Sequence, residues 1–127
     1  MRTPHPTLTP QELAIMKVVW RKDEATVRDV YEALREARPI AYTTVMTMMR
    51  ILQEKGYLTK VTEDRAHVYR PAKPRQQVIG GMVRDFLDRV FDGASDPLLV
   101  HLARDNKLTP KQRRLVKQLL DEKDGEQ

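Results

Sequence analysis

The sequence contains no cysteine, and this absence excludes several kinds of site. The 127-residue chain can form no disulfide bond, hold no metal through thiolates and sense no oxidant through a reactive thiol. Its three histidines, His5, His67 and His101, lie far apart, and none has a second histidine at helical or hairpin spacing. We therefore expect neither a metal site nor a bound cofactor.

Long apolar runs and catalytic motifs are missing as well. No stretch approaches the roughly 20 apolar residues of a membrane-spanning helix. The amino-terminal segment lacks the apolar core of a signal peptide, so we expect a cytoplasmic protein. No glycine-rich phosphate loop, activated nucleophile or pair of suitably spaced carboxylates is recognisable, and an enzyme is therefore the least favoured class.

The positive charge of the chain is concentrated in one segment. Residues 38–75 contain eight basic residues against three acidic ones, whereas the two kinds balance before and after, so this segment carries the whole net charge of +5. Any one of these side chains could simply solvate a surface, but a local cationic patch is what duplex DNA attracts. The eight positions are Arg38, Arg50, Lys55, Lys60, Arg65, Arg70, Lys73 and Arg75.

Two short amphipathic helices are predicted before this segment. The first begins at a capping box of Thr9 and Glu12, with proline at the first helical position, and the second begins at Thr26 and Asp29. Pro39 marks the end of the second helix. The expected core faces are Leu13, Ile15, Met16, Val19 and Trp20 in the first helix, and Val27, Val30, Tyr31 and Leu34 in the second.

A third helix is predicted from about residue 42 to residue 55, with Gly56 as its C-terminal stop. Its core stripe follows the i, i+3, i+4, i+7 spacing and consists of Val45, Met48, Met49 and Leu52. The opposite face carries Thr43, Thr47, Arg50 and Glu54, with Thr44, Met46 and Ile51 at its margins. We interpret the three methionines as adaptable core residues.

The threonines on this opposite face indicate a binding surface. Each costs a helix a few tenths of a kcal/mol relative to alanine, so helix propensity does not explain them. Hydroxyl and guanidinium groups suit the major groove of DNA, where they bind phosphates and base edges. The candidate DNA contacts are Thr43, Thr44, Thr47 and Arg50, and we expect Thr43 or Thr44 to cap the helix as well.

Two β-rich runs, residues 57–62 and 67–70, follow the third helix and predict a hairpin with its turn at residues 63–66. Arg65 would lie at the tip of this wing, where it could contact the DNA backbone or minor groove. Tyr69 could contact DNA near the base of the wing or pack beneath it, and the core position is the preferred interpretation.

Three more helices are predicted after the prolines at positions 71 and 74, and the last of them begins at a third capping box, Thr109 and Gln112. A core of about 50 residues seldom buries enough surface alone. We therefore expect a second copy of the chain to complete it, with Ile79 among the dimerisation residues, although the helices could instead fold back on the first lobe. The expected domains are residues 1–72 for DNA binding and residues 73–127 for dimerisation.

Several of these segments resemble the penicillinase-repressor family. They are the run Ala41–Thr47 (AYTTVMT), the exit Lys55–Leu58 (KGYL), the wing Asp64–Pro71 (DRAHVYRP), the opening Leu13–Trp20 and the start of the second helix at Thr26–Val30. The likeness is strong over residues 8–71 and rests on length and helix pattern beyond. It implies a mostly α fold with a small β wing: a winged helix-turn-helix N-terminal lobe plus a three-helix C-terminal dimerisation lobe.

The resemblance also implies a function. Family repressors bind double-stranded DNA as homodimers, at inverted repeats in promoters of antibiotic-resistance or stress genes. Tyr42, inside the matching run, and Arg38, just before it, complete the candidate DNA contacts. In well-studied relatives a membrane-bound sensor metalloprotease triggers cleavage in the C-terminal lobe, and the matching bond here is His101–Leu102.

Two departures from the family pattern are visible, and one branch of the family is excluded. The family commonly has arginine at the position of Ile51, whereas here the arginine lies one place earlier, at Arg50. The His101–Leu102 pair differs from the Asn–Phe pair of the best-known relatives. The copper-responsive branch carries a cysteine cluster, which this chain lacks.

Two alternatives to the repressor remain: a winged-helix module that binds protein, and a winged-helix regulator controlled by a small ligand.

Overall fold

The computed structural model describes residues 8–61, 67–105 and 108–125, with side chains described up to residue 118. The elements are α1 (Pro10–Lys22), β1 (Ala25–Thr26), α2 (Val27–Arg35), α3 (Tyr42–Glu54), β2 (Leu58–Lys60), β3 (Val68–Pro71), α4 (Arg75–Phe91), α5 (Asp96–Arg104) and α6 (Pro110–Gly125). The chain divides into two compact units, residues 1–82 and 83–127. The prediction of a mostly α fold with a small β wing is confirmed.

Local sequence signals set the starts of three helices. Thr9 and Glu12 hydrogen-bond reciprocally at the start of α1, with N···O distances of 2.9 and 3.1 Å. Thr26 and Asp29 do the same at α2, at 3.0 and 2.9 Å. At α6 the pair is Thr109 and Gln112, at 2.8 and 3.1 Å. All three predicted caps are therefore confirmed, because each depends only on residues three apart.

The two ends of α3 differ in how well the sequence predicts them. At the C-terminus Gly56 has φ of +88°, and its N–H donates to the Gln53 carbonyl at 3.0 Å, while the Tyr57 N–H reaches Leu52 at 2.9 Å. This pattern is the predicted glycine stop. At the N-terminus the cap residue is Ala41, with no side-chain hydrogen bond, so the prediction that Thr43 or Thr44 caps the helix is wrong.

The sheet has three antiparallel strands in the order β1-β3-β2. β2 and β3 match the two predicted runs, although β2 is shorter than residues 57–62 and β3 begins one residue later and ends at Pro71. β1 was not predicted: Ala25 pairs with Tyr69 and Thr26 with Val68. The turn at residues 63–66, including Arg65, lies outside the described residues.

The core of the first unit is formed by α1, α2, α3 and the strands. Its largest fully buried side chains are Ile15, Met16, Val19, Val27, Val30, Val45, Met49 and Leu52. Leu13 and Trp20 are only half-buried, whereas Val18, which was not predicted for the core face, is buried. Tyr69 is 4% exposed, which agrees with the preferred interpretation of this residue as part of the core.

Met46 corrects the interpretation of the three methionines. Met49 is fully buried and Met48 half-buried, but Met46 is 40% exposed. Position 46 lies roughly 100° around the helix from Val45, at the edge of the core stripe. Its side chain therefore belongs to the exposed face of α3 and not to the core.

One buried carboxylate connects the start of α1 to the end of α3. Glu12 is 5% exposed, accepts a hydrogen bond from the Thr9 N–H and lies 2.9 Å from the Lys55 ammonium. Burial raises the pKa of Glu12, but the Thr9 hydrogen bond and the Lys55 charge outweigh it and hold the pKa below its ordinary value. Lys55, one of the eight basic residues, thus has a structural role.

We expect Glu12→Gln to lower the free energy of unfolding by about 1–2 kcal/mol at neutral pH, because the charge-assisted bond to Lys55 is lost while the amide can still accept from Thr9. Since the pKa of Glu12 is lowered on folding, the stabilisation is complete above the ordinary glutamate pKa and disappears as the pH falls through the folded value. Urea unfolding at neutral and acidic pH measures this. Glu32→Gln, which removes an exposed carboxylate paired with Arg28, is the control and should have little effect.

The second unit contains the rest of α4 and the helices α5 and α6. None of its described side chains is buried, although it has many apolar residues. The large apolar side chains of this unit that are more than a third exposed include Val83, Phe86, Val90, Val100 and Leu115. In the described part of the chain, no helix is long and apolar enough to cross a membrane.

Candidate nucleic-acid interface

The exposed face of α3 carries the polar side chains that the sequence assigned to it. Thr43, Thr44, Thr47 and Arg50 are all exposed. The three threonine hydroxyls form no hydrogen bond with any residue that the structure describes. Their donor and acceptor capacity is therefore free to meet an external ligand.

This face is held by a well-packed underside. Val45, Met49 and Leu52 have no solvent exposure, so the rotation of α3 about its own axis is fixed by the core. The Lys55–Glu12 contact ties the end of the helix to α1. A binding face mounted on such a helix keeps its geometry and loses little conformational entropy on binding.

Arg50 is the cation of the helix face whose charge reaches β3. Burial raises the pKa of Tyr69, and the nearby positive charge of Arg50 acts in the opposite direction, so the guanidinium lies within electrostatic reach of the phenol on β3. Arg50 has no ion pair with any described carboxylate. Its charge is thus available at the junction of α3 and the sheet.

Two apolar side chains flank the polar ones. Tyr42 is 39% exposed and Met46 40% exposed, and the four-residue spacing puts them on one side of α3. The Tyr42 ring packs edge-on against Tyr31 of α2, with 5.4 Å between ring centroids. Met46 was not among the predicted DNA contacts, although its position roughly 100° from Val45, at the edge of the core stripe, is a signal of exposure.

The basic residues of segment 38–75 are not equally available. Lys55 is paired with Glu12, Arg70 lies 2.6 Å from Glu24, and the Lys73 ammonium lies 4.6 Å from the ring centroid of Tyr57. Within the described part of the chain, the members of the segment that have neither an ion pair nor a cation–π contact are Arg38, Arg50, Lys60 and Arg75. The cationic patch is therefore smaller than the charge count implies.

Arg38 lies just ahead of α3. It is exposed and lines a shallow hollow of about 480 Å³ together with Tyr31 and Arg35, whose guanidinium is 5.5 Å from the Tyr31 ring. Arg38 and Arg35 thus place two cations at the N-terminal side of α3. Over the described ranges no group of three or more metal-ligating side chains comes together.

Comparison with known proteins agrees with this geometry. The family model described as "Penicillinase repressor" matches residues 8–122. The transcriptional regulator BlaI of Mycobacterium tuberculosis is 40% identical over 92 residues, which cover 71% of this chain and 67% of that protein. The penicillinase repressor of Bacillus licheniformis is 26% identical over 117 residues, covering 92% and 91%.

A solved structure extends the comparison to the fold. The solution structure of the DNA binding domain of the repressor BlaI aligns with a TM-score of 0.51 and 28% identity, over 58% of this chain and 90% of that one. The match covers most of that DNA binding domain. The chain therefore belongs to the penicillinase-repressor family, whose members are transcriptional repressors and not enzymes.

Proposed function

We propose that this chain is a transcriptional repressor that binds an inverted-repeat operator in double-stranded DNA as a homodimer. The observation that carries the proposal is the exposed face of α3, where three threonine hydroxyls have no partner among the described residues. The DNA binding domain of the repressor BlaI, to which this chain is similar, has the same fold. The dimer would act in the cytoplasm, where its occupation of a promoter would exclude the transcription machinery.

In this proposal α3 enters the major groove. Thr44 and Thr47 contact base edges and phosphates, and Arg50 pairs with guanine or with a phosphate beside the wing. Met46 and Tyr42 supply apolar surface to thymine methyl groups. Arg38 contributes a phosphate contact at the start of the helix, and Arg65 would contribute another from the wing.

Exposed apolar surface in the second unit supports the homodimer. An apolar groove of about 290 Å³ between α5 and α6 is lined by Leu99, Val100, Ala103, Leu108 and Val116, among others. With no buried side chain among those described, the unit lacks a core of its own, and a second copy would provide one. Residues 1–72 as the DNA-binding domain and 73–127, including Ile79, as the dimerisation domain are part of this proposal.

The dimer would set the operator geometry. Two copies of α3 related by a twofold axis reach successive major grooves when the half-sites lie about 10 base pairs apart, or a multiple of that. Each half-site supplies part of the affinity. Because the two subunits are linked, binding to one half-site favours binding to the other, and the dimer binds the full operator more tightly than either half-site.

Release by proteolysis, with a membrane sensor protease as partner, is the regulatory part of the proposal. The His101–Leu102 bond lies inside α5, and the His101 imidazole is 3.1 Å from Asp105 one turn later. A protease binds its substrate as an extended chain, so α5 would have to open locally before cleavage. The short, exposed helix makes such opening inexpensive, and cleavage would weaken the dimer and release the operator.

The salt dependence of DNA binding tests whether the protein contacts phosphates as proposed. The slope of log affinity against log salt concentration is negative, and we expect its magnitude to decrease by about 0.9 in Arg38→Gln, because one phosphate contact and its released counterion are lost. The matched control is Arg84→Gln, which removes the same charge from an exposed position on α4, roughly 160° around the helix from Phe86. Fluorescence anisotropy with a duplex selected by the wild-type protein gives both slopes.

The wild-type slope separates the proposal from a protein-binding module. A repressor should bind its selected duplex far more tightly than a scrambled one and lose affinity steeply with salt. Weak binding that is indifferent to both sequence and salt would remove the basis of the proposed function.

A further inference from the structure

A second cationic surface of the first unit lies at the junction of α1 with the β3–α4 connection. It is a hollow of about 690 Å³, and we call it the Trp20 hollow. Four basic side chains line it: Lys17, Arg21, Arg70 and Arg75. Only Arg70 and Arg75 belong to the basic segment 38–75. Lys17 and Arg21 lie on α1, within residues 1–37, where basic and acidic residues balance overall.

The charge of the hollow is strongly positive. Asp23 is the acidic residue in its lining, and Glu24 lies beside it, paired with Arg70 at 2.6 Å. Lys17, Arg21 and Arg75 have no ion pair with any carboxylate in the described ranges. Four cations against two carboxylates leave a surplus that an anion of two charges would neutralise.

The floor of the hollow is apolar and fixed. Trp20 is half-buried, and its indole N–H donates to the Lys73 carbonyl at 3.0 Å, which holds the ring against the β3–α4 connection. Pro71, Ala72 and Pro74 continue this apolar surface. A rigid aromatic floor next to cations favours a ligand that has both a ring or hydrocarbon part and an anionic group.

From these observations we infer that the Trp20 hollow is a binding site for a small organic phosphate, with the anion held by Arg21, Lys17 and Arg75 and the organic part against Trp20. The site goes beyond the proposed repressor function, since it involves no residue of α3. It gives the alternative of a ligand-controlled regulator a location in the fold.

The only tryptophan of the chain is at the site, so its fluorescence reports on occupancy directly. Phenyl phosphate and inorganic phosphate are titrated into the full-length protein at constant ionic strength and at a pH well above the second pKa of both, so that both probes are dianions. We expect a saturable change in emission with phenyl phosphate, and weaker binding of inorganic phosphate because the apolar floor is not used.

Variants locate the signal. Arg21→Ala should weaken the binding of phenyl phosphate about tenfold or more, since a charge-assisted hydrogen bond is lost. Lys22→Ala removes the neighbouring exposed cation, which does not line the hollow, and should leave binding unchanged. A non-saturable response, a response equal to that of chloride, or equal weakening in both variants would each overturn the inference.

The phosphate could also come from a DNA backbone, and the same readout separates the two sources. A duplex that changes Trp20 emission only when Arg21 is present identifies backbone phosphate at the hollow, whereas a response to phenyl phosphate alone identifies a free ligand. A response to a duplex without a response to phenyl phosphate overturns the inference of a small-ligand site. If the ligand is free, operator affinity measured by mobility shift is unchanged in Arg21→Ala. Loss of the hollow's binding therefore leaves the proposed function standing, and the reverse also holds.

Discussion

Replacing Phe86 with aspartate is expected to convert the proposed dimer into monomers and to weaken operator binding by about 100-fold or more. Phe86 is 38% exposed on α4, and its ring packs edge-on against Phe91 with 5.9 Å between centroids. If a second copy covers this surface, the introduced carboxylate must lose its water without gaining a partner. The free-energy cost of this desolvation is comparable to the binding free energy that is lost when a central interface residue is truncated.

The control for Phe86→Asp is Arg84→Gln, which changes the net charge by the same amount two residues earlier, roughly 160° around the helix. Sedimentation velocity gives the oligomeric state, and anisotropy on a full operator and on one half-site gives the affinities. Half-site binding should be unchanged in Phe86→Asp, because α3 is intact. An undisturbed dimer in this variant would contradict the assignment of the second unit to dimerisation.

The second large effect concerns the selectivity of α3. Thr47→Ala and Arg50→Ala should each reduce discrimination between operator variants by about 1–3 kcal/mol, because a side chain that reads a base edge is lost. Both side chains are exposed, so their removal should cost little stability. Competition binding with a panel of single-base operator variants measures the change at each position.

Thr59→Ala is the matched control, since Thr59 is an exposed threonine on β2. If the wing contacts only backbone, this variant weakens all duplexes alike and leaves their ranking intact. Arg65→Ala is also expected to weaken binding to all duplexes alike. Arg65 lies outside the described residues. Equal losses on every duplex for Thr47→Ala and Arg50→Ala would refute base reading by α3.

The parts of the fold that depend on neighbours in the chain were predictable from the sequence. The capping boxes at Thr9, Thr26 and Thr109 and the glycine stop at Gly56 are local, and all were predicted correctly. The core stripe of α3 and the exposed threonine face follow from helical periodicity alone. The side of α3 that forms the candidate site could therefore be identified from residue spacing.

Features that depend on distant residues could not be predicted from local patterns. β1 is two residues long and exists only because Ala25 and Thr26 pair with Tyr69 and Val68. Lys55 was counted with the cationic segment, but its partner Glu12 lies 43 residues earlier in the chain. The Trp20 hollow joins α1 to the β3–α4 connection, and no local pattern brings those two segments together.

The two wrong predictions in α3, a threonine cap and the burial of Met46, have physical explanations as well. A threonine near a helix start is a good cap in general, but here the chain enters α3 at Ala41, in an extended conformation with φ of −84° and ψ of 144°, too early in the chain for Thr43 or Thr44 to be the cap. Methionine is common in cores, so composition alone favoured burial of Met46. Its position on the helix, at the edge of the stripe, leaves the side chain exposed instead.

The most direct test of the central proposal is dimethyl sulfate probing of a selected operator, because this reagent methylates guanine N7 in the major groove and adenine N3 in the minor groove. With α3 in the major groove, the wild-type protein should protect guanine N7 in two half-sites about one helical turn apart. Arg50→Ala should lose part of that protection in each half-site. Protection confined to adenine N3, or no protection under conditions where the duplex is fully bound, would contradict the placement of α3.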